Sequence, residues 1–138
     1  MLLDNRFSHL RQRITHAAPK IFLALVLTLV STTASTAQNK YDAFWGQFMA
    51  AALIADTCRG VQRSSGHGAV SIGVASDGLR EQRLLRVLYY GNEKKLTHLG
   101  HTTLAMSNVS TDEPQNLCRF ARKVARTDDK IGRFLRVN

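Results

Sequence analysis

The stretch Tyr41-Asp-Ala-Phe-Trp-Gly-Gln-Phe-Met-Ala-Ala-Ala-Leu-Ile-Ala-Asp-Thr-Cys58 decides the fold. Its large side chains Tyr41, Phe44, Trp45 and Phe48, followed by Ala52, Ala55 and Cys58, recur at steps of three and four. That spacing puts them on one face of an α-helix and predicts a helix over 41–58. Asp42 in the first turn suits the positive end of the helix dipole. Gly60 can end the helix in a left-handed conformation, which costs a glycine little. An aromatic stripe of this kind serves either as the packing face of a core or as a lipid- or ligand-binding face. The core is the commoner use.

Outward from this helix, the C-terminal third is the next clearest region. Ser110-Thr-Asp-Glu113 has the spacing of a capping box, and Pro114 suits only a first turn. Leu117, Cys118, Phe120, Ala121 and Val124 then form an apolar stripe backed by Arg119, Arg122, Lys123 and Arg126. Thr127, Asp128 and Asp129 open a final short helix carrying Ile131, Phe134 and Leu135. Between the two ends, Ser76 or Asp77 caps a helix over about 79–90 through Leu84, Leu85 and Leu88, stopped by Gly91-Asn92. Another runs over about 93–106 with Leu96, Leu99 and Leu104 on one side, weakened by Gly100, Thr102 and Thr103.

The stretch 61–75 is the hardest to read. Ser64-Ser65-Gly66-His67-Gly68 marks a flexible connection, and Val70, Ile72 and Val74 alternate as in a strand. With no second alternating run to pair with, a loop or short helical turn is expected there. The fold class is therefore all-α: a small bundle of four to five helices in a single domain, 38–138.

Residues 1–37 carry the pattern of an export signal. Basic Arg6, Arg11, Arg13 and Lys20 precede the apolar run Ile21-Phe-Leu-Ala-Leu-Val-Leu-Thr-Leu-Val30, and Ser35-Thr36-Ala37 fits a small-x-small cleavage site. Ten apolar residues fall short of the roughly twenty that span a bilayer, although an uncleaved anchor or a buried core helix is the alternative. No lipid-modified cysteine follows the run, and Arg11 and Arg13 are not adjacent. Cleavage after Ala37 removes four basic residues and Asp4, leaving 15 basic against 9 acidic residues, a net charge of +6. A basic exported domain meets anionic headgroups or acidic proteins before nucleic acid, and nucleic acid is not an expected partner.

Both cysteines, Cys58 and Cys118, lie in the mature part, where an oxidising compartment pairs them. No Cys-x-x-Cys occurs and neither thiol has a neighbouring histidine, which argues against redox or metal work. No cofactor is implied. His98 and His101 share a helical face but lack a third ligand in sequence, and neither a Gly-x-Ser-x-Gly elbow nor a phosphate-binding glycine loop occurs. Asp112, Glu113, Asp128 and Asp129 sit at helix starts, where capping accounts for them. An enzyme is not expected. Arg119, Arg122, Lys123 and Arg126, at steps of three and four, form a candidate anion-binding face that lacks the interleaved aromatics of a nucleic-acid surface.

The run Asp112-Glu-Pro-Gln-Asn-Leu-Cys118, then Arg122 and Lys130-Ile-Gly-Arg-Phe-Leu-Arg136, resembles the end of a family of small exported alphaproteobacterial proteins, a domain of unknown function. In that family a cysteine is followed by an Ile-Gly-x-x-Leu-Arg ending, and a helix near the mature N-terminus leads into the other cysteine. Cys118, Ile131, Gly132, Leu135 and Arg136 match, and Cys58 matches by position. The resemblance implies a helical, disulfide-bridged, exported protein and no particular reaction. The expected function is a non-catalytic exported protein, periplasmic or secreted, that binds another macromolecule. Two further readings are an envelope-stress chaperone exposing the Tyr41–Phe48 face and a basic protein that binds anionic envelope surfaces.

Overall fold

Packing begins at the aromatic stripe. In the computed structural model, which describes residues 39–126 and 130–138, the first helix, α1, covers 39–57. Phe44, Trp45, Phe48, Ala51, Ile54 and Cys58 are buried along it. Past Phe48 the buried line runs through Ala51 and Ile54, so Ala52 and Ala55 lie at its half-buried edge rather than on it. Gly60 takes φ +78° and ends the helix as expected. The expected export segment 1–37 lies outside the described residues, and Lys40–Asn138 is a compact unit.

The stretch after Gly60 is more ordered than the expected loop or short helical turn. It forms a short strand, β1 (Val61–Arg63), and then a three-turn helix, α2 (Gly66–Asp77). The residues that suggest flexibility have specific uses. Ser65 is the N-cap of α2, its hydroxyl accepting from Gly68 N–H at 3.0 Å. Gly73 lets α2 lie against the core: a Cβ there would stand 2.7 Å from Phe44 and 2.9 Å from Leu84. The apparent alternation of Val70, Ile72 and Val74 is incidental, because the buried positions are Ala69, Val70 and Gly73.

Next come α3 (Glu81–Tyr90), α4 (Glu93–Met106) and α5 (Pro114–Val124). Ser76 and Asp77 do not cap α3. They belong to the end of α2, and the N-cap of α3 is Arg80, whose N–H donates to the Tyr41 hydroxyl at 3.1 Å. Asn92 caps α4 through its side chain, which accepts from Lys95 N–H. The capping box at 110–113 does not form as the spacing suggests. Glu113 is itself the N-cap, and the Ser110 hydroxyl accepts from Asp112 N–H in the preceding turn.

The chain end also differs from the short helix expected there. Gly132–Phe134 makes a single 3-10 turn, and Leu135–Val137 forms β2, antiparallel to β1 with Val61 opposite Val137. The strand that has no visible partner in the sequence thus finds one 74 residues on, counting Arg136 against Gln62. Any Cβ at Gly132 would collide with the carbonyl of Val124, so the turn packs where only glycine fits. Residues 127–129 lie outside the described residues.

The core joins the two ends of the unit. Phe134 sits edge-on to Phe44 and Phe48, each at 5.6 Å between ring centroids. Ile54, Leu84, Leu104 and Leu117 complete it, fully buried. Cys58 at the end of α1 is bonded to Cys118 in α5, with Cα atoms 5.4 Å apart. The fold is a small all-helical bundle with one disulfide and a two-stranded clasp at its edge.

Candidate binding surface

The residues that the sequence singles out for chemistry are not gathered into one site. Cys58 and Cys118 form the bridge, and neither is a free thiol. His98 and His101 are exposed on α4. Among the described residues no group of three or more His, Cys, Asp or Glu could hold a metal ion. The Tyr41–Phe48 face of α1 is covered, with Phe44 and Phe48 at 5% exposure or less, so a chaperone would have to unfold to present it.

One carboxylate is strongly engaged. Arg133 donates to both oxygens of Asp77 and to Gln47 Oε1, while its guanidinium lies 4.8 Å from the Phe134 ring. The hydrogen bond from Arg133 holds the Asp77 carboxyl below its usual value, against burial, with help from the charges of Arg133, Lys40 and Lys130. A carboxylate so occupied ties α2 to α1 and the C-terminal segment, and it is poorly placed to serve a substrate.

Arg119, Arg122 and Lys123 lie on the exposed side of α5, opposite buried Leu117, Ala121 and Val124, and Arg126 is exposed in the turn that follows the helix. The basic face therefore exists as a surface, although Lys123 has interactions of its own within the chain. The shallow depression beside it is lined by Pro114, Gln115, Cys118, Arg119 and Arg122.

A second surface combines charge with exposed aromatic rings. The inner side of α3 buries Leu84 and half-buries Leu85, Val87 and Leu88. Its outer side carries Arg83 and Arg86, running on to Tyr89 at 61% and Tyr90 at 86% exposure. Arg80 precedes them at the N-cap. Arg83 stacks over Tyr41 at 4.1 Å. Tyr89 is steadied by His67, with its hydroxyl 2.9 Å from Nε2, and lies 6.5 Å from the Tyr90 ring. Two shallow depressions adjoin along the helix. One is lined by Arg80, Glu81, Gln82, Arg83 and Arg86, the other by Gln82, Leu85, Arg86, Tyr89 and Tyr90.

Sequence reasoning missed this surface, because it reads the helix over about 79–90 through Leu84, Leu85 and Leu88 alone. The available signal was spacing: Arg83, Arg86 and Tyr90 fall at i, i+3 and i+7, a face separate from Leu84 and Leu88. Comparison with protein-family models, curated proteins and solved structures finds no match to this chain.

Proposed function

We propose that this is an exported protein that works without catalysis by binding a macromolecule, and that the outer face of α3 makes the contact. The observation that carries the reading is Tyr90, a large ring left in water beside Arg86 and Tyr89. Tyrosine and arginine are among the residue types that most often anchor interfaces, because each offers apolar area and directed hydrogen bonds together. Export rests on the pattern of 1–37 and agrees with a disulfide, which an oxidising compartment favours. No helix among the described residues is long and apolar enough to cross a membrane.

The test is site-specific photocrosslinking in cells that express the full chain. A photoreactive residue at position 90 should give a light-dependent adduct, identified by mass spectrometry as protein or lipid. The same group at position 101, exposed on α4, should give none. An absence of adduct at 90, or equal adducts at both positions, would overturn the reading.

A further inference from the structure

We infer that the outer face of α3 docks on an anionic lipid surface. This rests on the binding reading above and narrows its partner to one class. Three features of the face argue for it.

The first is charge. Arg80, Arg83 and Arg86 are exposed at three-residue steps, and none is ion-paired among the described residues. Glu81 is the single carboxylate lining either depression. The stack on Tyr41 holds Arg83 close to the domain while leaving it exposed, which lowers the entropy lost when it meets a phosphate.

The second is the position of the rings. Tyr89 and Tyr90 follow the arginines on the same helix, with half-buried Leu85 beside them. A tyrosine ring suits the headgroup level of a bilayer, where its apolar body meets acyl chains and its hydroxyl stays wet. Arginine beside it can reach phosphates through a long apolar stem.

The third is shape. A protein hot spot usually sits in a well-packed, desolvated pocket. Here the face is the outer side of a ten-residue helix with only shallow depressions, and Tyr90 stands free at 86% exposure. Such a face fits a flat and deformable surface better than a shaped one. The helix is about 15 Å long at roughly 1.5 Å per residue, and its opposite side is committed to the core, so it would lie along the interface and not enter it.

The experiment is co-sedimentation of the exported, oxidised protein with vesicles. Phosphatidylglycerol mixed with phosphatidylethanolamine is compared with phosphatidylcholine alone, at low and high salt. Wild type should pellet with the anionic vesicles, weakly with the zwitterionic ones, and less as salt screens the charges. R80Q/R86Q should weaken binding roughly thirty-fold, the effect of two basic residues near an anionic surface. Y89S/Y90S should weaken it at every salt concentration. R119Q/R122Q on α5 should stay close to wild type. No pelleting of wild type with anionic vesicles, equal pelleting with both lipids, or an equal loss in the α5 variant would each overturn the inference. If vesicle binding fails while the adduct at position 90 is a protein, the lipid partner is wrong and the binding reading survives. If neither appears, both fall.

Discussion

Arg133 grips Asp77 through two hydrogen bonds, of 2.6 and 2.9 Å, across 56 residues of sequence. The pair is largely shielded, with side-chain exposures of 19% and 25%. It lies where the C-terminal turn crosses the end of α2, and Gln47 of α1 accepts from the same guanidinium at 2.8 Å. Three parts of the chain meet on one cation.

The pair has a pH signature. Asp77 is held below the ordinary value of 3.8, so the folded chain keeps it ionised where the unfolded chain begins to protonate. A depressed carboxylate stabilises the fold above its unfolded pKa, and that contribution is lost as pH falls through the folded value. Asp77→Asn should cost about 1 kcal/mol at neutral pH, or roughly 4–8 °C in Tm for a domain of this size. Thermal melts of both proteins at pH 7 and pH 3 check it. The gap should shrink at the lower pH, and a gap of unchanged size would mean that the charge of Asp77 contributes nothing.

The bridge between Cys58 and Cys118 closes a loop with a separation of 60 residues. In the chain-entropy model such a loop stabilises the fold by about 4 kcal/mol. C58A/C118A should lose about that much in denaturant titration. Trp45, the sole tryptophan and only 3% exposed, supplies the fluorescence signal. Two thiols open to alkylation in the unreduced, folded protein would contradict the bridge.

The legible parts of the fold were those with a single local explanation. The aromatic face of α1, the bounds of α4 at Glu93 and Met106, and the pairing of the two cysteines follow from spacing or from the compartment expected of the sequence. The illegible parts depend on distant partners. Val61–Arg63 becomes a strand only because Leu135–Val137 lies beside it, and nothing in either three-residue run announces the other. Gly66, Gly68 and Gly73 lower the helix propensity of α2, and tertiary packing against Phe44 and Leu84 overrides it. Of the two surfaces described, only one was legible. The basic spacing of α5 was visible in the sequence, whereas the exposure of Tyr89 and Tyr90 depends on which side of α3 meets α2.

Gly100 makes the same point as a measurable quantity. In isolation a glycine inside a helix costs about 1 kcal/mol against alanine, so Gly100→Ala would stabilise a free α4. In the fold, a Cβ at Gly100 would stand 2.9 Å from Met49 Cβ and 3.0 Å from its carbonyl carbon, where α4 crosses α1. Backbone cannot give way as a flexible side chain can, and overpacking of this kind costs about 1–3 kcal/mol. Packing should win. Gly100→Ala is expected to lower stability by about 1 kcal/mol in chemical denaturation, and a rise would show that the two helices pass further apart.

Phe134 and Tyr90 are aromatic residues whose environments predict opposite behaviour. Phe134 is fully buried, edge-on to Phe44 and Phe48, with the guanidinium of Arg133 over its ring. Phe134→Ala removes the side chain that fastens the chain end to α1 and should cost about 3–5 kcal/mol. β2 begins at the next residue, so the clasp with β1 should loosen with it, visible as faster amide exchange at Ser64, whose N–H donates to the Phe134 carbonyl at 2.8 Å. Tyr90, by contrast, is 86% exposed, with its ring 6.5 Å from that of Tyr89. Tyr90→Ala should therefore change stability by no more than about 0.5 kcal/mol. Denaturation curves of the two variants decide whether the rings are divided between fold and surface as described. A large loss from Tyr90→Ala would make that ring part of the core, and the case for α3 as a docking face would go with it.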